Sequence, residues 1–193
     1  MPGRAGLDKA VVVRAAIALI NAEGSEALTI NRLARELKVQ PPSLYNHING
    51  LAELRRALAL VNAQWLGDRL TEAAIGQSGQ AGISALAHAY RAYIKTYPDL
   101  YQSSLLASGN LSEPYPELQA AEERVVRVVM ALVASVGVKG EAAIHAVRGL
   151  RSLVHGFATL EVSGGFGLPI DLDESFHRLI EIYLHGTAPL SDC

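Results

Sequence analysis

The stretch Leu28-Thr29-Ile30-Asn31-Arg32-Leu33-Ala34-Arg35-Glu36-Leu37-Lys38-Val39, continued after Gln40-Pro41 by Pro42-Ser43-Leu44-Tyr45-Asn46-His47-Ile48, decides the fold. Ile30, Leu33, Ala34 and Leu37 recur at i, i+3, i+4 and i+7, the spacing of one apolar helix face. Thr29 stands just before them, where a hydroxyl can accept a bond from an unpaired N–H of the first turn. Lys38-Val39-Gln40 then make a three-residue turn. Pro41 suits the start of a second helix, because its missing N–H would have no intrahelical partner there. Leu44 and Ile48 point inward from that helix, and Asn49-Gly50 break it. Two helices so short cannot bury their own apolar faces. The support comes from residues 8–23, where Val13, Ala16, Ile17 and Ile20 repeat the same spacing and Gly24 closes the helix. Packed together, the three predict a helix-turn-helix, whose second short helix is of a size to enter the DNA major groove.

Outward from this segment the pattern remains helical. Alanine and leucine dominate, β-branched and aromatic runs are few, and the eight prolines fall where helices start or stop. The spacing predicts a long fourth helix over 51–75, with Leu54, Leu58, Val61, Trp65 and Leu66 on its buried side. A fifth follows the Gly/Gln/Ser-rich stretch 76–82 and ends before Pro98. A sixth covers 99–107, and 108–116 reads as a surface loop. Two long apolar helices at 117–136 and 141–162 precede the break Gly164-Gly165-Phe166-Gly167-Leu168-Pro169, and a last helix covers 173–184. The expectation is an all-α chain of about nine helices, divided into residues 1–50 and 51–193.

The 193 residues are 50% hydrophobic and carry a net charge of −2, which excludes a mainly disordered chain. No run of eighteen apolar residues exists, so no membrane helix is expected. Arg14, Asn21 and Glu23 spoil a signal peptide, and the single cysteine, Cys193, can build neither a disulfide framework nor a zinc cage. A cytoplasmic protein without metal or cofactor is the expectation. The net charge also conceals a gradient: residues 1–56 carry +3 and the remainder −5. A basic head on an acidic body is the asymmetry of a nucleic-acid module joined to an effector domain.

The pieces LT-x-x-x-LA-x-x-x-x-V, over residues 28–39, and LY-x-H, over 44–47, resemble the N-terminal module of the TetR family, bacterial ligand-responsive transcriptional repressors. The resemblance spans roughly residues 8–60. The C-terminal part is similar to a subgroup with a Trp-His-Gly triplet and a later Gly-Phe-Gly-Leu-Pro break. Here the triplet reads Val154-His155-Gly156, so a ligand contact through that tryptophan does not carry over. Gly165-Phe166-Gly167-Leu168-Pro169 and Asp173-Glu174-Ser175-Phe176 match.

The resemblance implies operator DNA, a small-molecule effector and a second copy of the chain as partners. Gln40, Pro41, Pro42, Ser43 and Asn46 fall on the side of the third helix that reaches base edges. Gln40 and Asn46 can both donate and accept, as bidentate reading of adenine requires, and the prolines can touch thymine methyls. Tyr45 and His47 match family positions that contact phosphates, with Thr29 and Arg32 as further backbone candidates. Two departures stand out: Leu51 where the family commonly has lysine, and Gln40 where it usually has serine or threonine. For the effector cavity the candidates are Trp65, Tyr90, Tyr93, Tyr97, Tyr101, His155 and Phe157. For the homodimer they are Gly149 and Gly156, seven residues apart, with Phe176, Leu179, Ile180, Tyr183 and Leu184 as apolar surface in an intermolecular four-helix bundle.

The rival reading is a helical small-molecule-binding protein or an enzyme without DNA binding. Glu174-x-x-His177 has the spacing of a di-iron helix motif, but that chemistry needs a second copy and two further glutamates. Glu141/His145 and Glu181/His185 read as exposed helix pairs. No nucleophile elbow or phosphate loop is present.

Overall fold

The computed structural model describes residues 6–108 and 115–186; most of the loop expected at 108–116, and Cys193, lie outside them. Among the described residues there are nine α-helices and no strand: α1 Lys9–Glu23, α2 Ile30–Glu36, α3 Pro41–Leu44, α4 Gly50–Ala74, α5 Gly79–Thr96, α6 Pro98–Ser108, α7 Pro116–Ser135, α8 Gly140–Val162 and α9 Leu172–Gly186. No described helix is long and apolar enough to cross a membrane. The chain forms two compact units, Met1–Asn62 with Tyr97–Leu118, and Ala63–Thr96 with Gln119–Cys193.

In the first unit, α1 begins on Asp8, whose carboxylate accepts the Val11 N–H at 2.7 Å. It ends at Gly24, whose φ of 84° lets the N–H turn back to the Ile20 carbonyl at 2.8 Å. Val12, Ala16 and Ile20 from α1, Leu33 and Ala34 from α2, Leu44 from α3, Ile48, and Leu54 from α4 are at most 2% exposed and share one core with Leu100 of α6. A buried polar pair also joins α4 to α6: Asn62 Nδ2 donates to Ser104 Oγ at 2.8 Å.

The second unit is built on α5, which packs against α8 and α9. Gly82 lets α5 approach α7 closely, since a Cβ there would lie 2.7 Å from Leu132 Cδ2. The Tyr183 ring of α9 lies beside Gly149 of α8, and its hydroxyl donates to the Ala146 carbonyl at 2.7 Å. Burial pushes the pKa of that hydroxyl up to about 12.

These contacts correct part of the expected dimer surface. Phe176, Ile180 and Leu184 are 0–3% exposed and belong to the subunit's own core, because α9 turns this face, at i, i+4 and i+8, onto α8 and α5. Gly149 and Tyr183 lie side by side within the chain and are both half-buried. Leu179 is half-buried, and Gly156 faces open space.

Candidate nucleic-acid interface

The helix-turn-helix forms where the spacing placed it, with a shorter second helix. α3 is a single turn, and Tyr45, Asn46 and His47 follow it in a hydrogen-bonded turn. The cause lies in the backbone bonds, which are mostly i→i−3: Ser43 N–H to Gln40 O at 2.9 Å, Tyr45 N–H to Pro42 O at 3.2 Å and His47 N–H to Leu44 O at 2.9 Å. Pro41 and Pro42 contribute no donor, and Gln40 makes no side-chain cap. Leu44 and Ile48, 0% and 2% exposed, root the segment in the core. Gln40, Pro42, Tyr45 and Asn46 are exposed, while Pro41, Ser43 and His47 are half-buried.

Thr29 caps α2, its hydroxyl accepting the Arg32 N–H at 3.1 Å. Arg32 itself is committed internally. Its guanidinium forks onto Glu23 of α1 and also pairs with Glu36 at 3.0 Å, so this geometry makes it a brace between α1 and α2. Arg32's hydrogen bonds in turn hold the Glu23 carboxyl below its usual range. Lys9 is likewise engaged, donating to Glu53 at 2.6 Å, and the other Glu53 oxygen accepts the Asn49 N–H at the start of α4. The positive charge that remains exposed on this unit includes Arg14, Arg35, Lys38 and Arg55.

The aromatic candidates divide between the units. Tyr97 packs against the core of the first unit, and Tyr101 is buried there. In the second unit Tyr90 and Tyr93 are buried on α5, and Trp65 is 37% exposed on α4. His155 is half-buried with its Nδ1 3.4 Å from the Thr159 hydroxyl; burial, then Arg151, lowers its pKa. Phe157 packs against Phe166 and Phe176, with ring centroids 4.8 and 5.1 Å apart.

A polar cluster at the same place has no counterpart among the sequence expectations. Arg91, 5% exposed, lies over the Phe157 and Phe176 rings. It forks onto Glu161 at 2.6 and 2.7 Å and reaches Asp173 at 2.7 Å, while Lys95 shares Glu161 at 2.6 Å. His88 sets its ring edge against Phe176 and stacks near His177. Burial, then the charge of Arg91, holds the His88 imidazole below its usual value. Beside the cluster lies an open cleft of about 520 Å³, lined by His88, Arg91, Ala92, Lys95, Thr96 and Asp173.

The acid–histidine pairs are local. Glu174 bonds Arg178 at 2.7 Å and Glu141 lies 3.7 Å from His145. His185 meets the Glu181 carbonyl instead of its carboxylate.

A short helix rooted by buried leucine and isoleucine, carrying exposed polar groups above its turn, defines the helix-turn-helix class of DNA-binding protein. Comparison with known proteins narrows the class. Residues 12–58 match the family described as bacterial regulatory proteins, tetR family, and residues 83–183 match the tetracyclin repressor-like C-terminal domain. The chain is 34% identical over 187 residues to the uncharacterized HTH-type transcriptional regulator YobS of Bacillus subtilis, covering 96% of this chain and 95% of that one. A Rhodococcus protein of unknown function shares the fold with a TM-score of 0.78 at 24% identity, over 97% of this chain and 99% of its own. A single-substitution variant of TetR from Acinetobacter baumannii, solved in complex with minocycline, superposes with a TM-score of 0.72 at 23% identity, over 97% and 100%. The chain belongs to the TetR family and is a DNA-binding transcriptional regulator.

Proposed function

We propose that this regulator is a homodimeric repressor that holds a roughly palindromic operator and releases it when a small molecule occupies the larger domain. Residues 1–50 serve the DNA, and 51–193 serve the effector and the partner copy. The observation that carries the reading is the construction of α3 and its turn: Leu44 and Ile48 fixed in the core, with Gln40, Pro42, Tyr45 and Asn46 exposed above them. Gln40, Ser43 and Asn46 address base edges, Pro41 and Pro42 thymine methyls, and Tyr45 and His47 the phosphates. A protein that works on operator DNA works in the cytoplasm.

A small-molecule effector is supported by the TetR variant solved with minocycline and by ActR of Streptomyces coelicolor, solved with (S)-DNPA, both of the same fold. Trp65, Tyr90, Tyr93 and His155 are the candidates for its site within the second unit. Ligand binding would act by population shift, favouring a dimer whose recognition helices no longer match successive major grooves. The second copy is supported by apolar side chains on α8, α9 and the segment between them. Ile144, Leu160, Val162, Leu168, Ile170 and Ile182 are 44–77% exposed.

A gel-shift titration on the DNA flanking its own gene tests the reading. Sequence-preferring binding that a cognate small molecule abolishes is the expected result. Equal affinity for flanking and unrelated duplexes would overturn it.

A further inference from the structure

We propose that Lys38, at the corner between α2 and α3, is a phosphate anchor of the DNA interface, a role that rests on the operator-binding reading above. The way α2 ends fixes its backbone. The Lys38 N–H donates to the Arg35 carbonyl at 3.2 Å, and the Val39 N–H to the Ala34 carbonyl at 3.0 Å. These are the paired bonds of a Schellman motif, which holds the residue after the C-cap in the left-handed region. Glycine is the ordinary occupant there, because an L side chain crowds the following carbonyl. Lys38 has a φ of 56° and is the one non-glycine residue with positive φ among the described residues. At the seven other such positions the chain uses glycine.

The side chain returns nothing visible to the fold. Lys38 is exposed, and among the described residues its ammonium has no carboxylate partner, whereas Lys9 and Arg32 of the same unit are locked into ion pairs. Two residues separate it from Pro41, where α3 begins. On the far side of α3 the Asn49 N–H is already taken by Glu53, and Leu51 brings no charge. A strained backbone is retained here with a free cation beside the recognition segment. The partner that answers a lone ammonium at that place is the phosphodiester backbone, which lysine meets as a point charge.

Lys38→Gly separates folding from binding, because it relaxes the backbone and deletes the charge together. Its Tm should rise by about 2–4 °C. On a duplex selected by the wild-type protein from a random-sequence pool, affinity should fall about tenfold, and the slope of log K against log[salt] should flatten by about 0.9 per subunit. Lys38→Arg should keep the wild-type slope, and Lys38→Asn should bind like the glycine variant. A Lys38→Gly protein with wild-type affinity and slope would overturn the anchor while leaving operator binding intact. A changed sequence preference with an unchanged slope would also overturn it, assigning Lys38 to a base. If the wild-type protein enriches no duplex at all, the operator-binding reading fails and the anchor falls with it.

Discussion

Arg91 takes a full charge into the packing of the larger unit, and its surroundings determine what that costs. Its guanidinium carbon lies 5.3 Å from the Phe157 ring centre and 4.9 Å from that of Phe176, while Glu161 and Asp173 accept from its nitrogens. Glu161→Gln would leave Arg91 with Asp173, an exposed carboxylate, as its one remaining acidic partner among the described residues, so it should lower stability by about 2 kcal/mol near neutral pH. Burial alone would raise the Glu161 carboxyl. The hydrogen bonds from Arg91 and Lys95 outweigh it and hold the carboxyl below the usual 4.5. Its contribution is therefore complete above about pH 4.5 and is lost as pH falls through the lower folded-state value. Denaturant titrations of wild type and Glu161→Gln should show a gap that closes on acidification. A gap of constant size would place the stabilisation elsewhere. The cluster left a trace in the sequence, since Arg91 continues the buried stripe of Leu86, Ala87, Tyr90 and Ile94, and Glu161 continues that of Leu150, Val154 and Ala158. A charge on each of two apolar stripes signals a buried pair, but periodicity alone does not say that the two stripes face each other.

At the scale of elements, the helix-turn-helix was legible because three local signals agree: the period of Ile30, Leu33, Ala34 and Leu37, the Thr29 cap, and Pro41 at a helix start. The length of α3 was not legible. Periodicity counts Leu44 and Ile48 as one face whether the chain between them is helix or tight turn, and only the i→i−3 bonds decide. Arg32 shows a second limit. A cation near a recognition helix looks free in sequence, while Glu23, nine residues earlier, is brought beside it only by folding. Tyr45 and His47 stand on the turn that follows α3, which suits phosphate contact. Tyr45→Phe and His47→Ala should each weaken binding about equally across operator variants. Measured on a panel of single-base substitutions, a shifted base preference would refute that assignment.

Over the whole molecule, the all-α class, the element order and the DNA-binding head could be read from the residues, whereas the face that α9 turns inward could not. α9 is apolar at Phe176, Leu179, Ile180, Ile182, Tyr183 and Leu184, more than one face can hold, and composition does not say which part turns inward. Packing chose Phe176, Ile180 and Leu184, which leaves Ile182 70% exposed. On the proposed dimer, Ile182→Glu should shift the protein toward monomer in sedimentation equilibrium at micromolar concentration, with little loss of helix. An unchanged dimer would move the interface away from this face of α9.

Trp65 is the only tryptophan in the chain and stands partly exposed on α4. All indole emission therefore comes from one known place, and the protein carries its own optical gauge. A candidate effector that alters the surroundings of that ring can be detected by a wavelength shift or by protection from iodide quenching, without a dye, a tag or an operator in the cuvette.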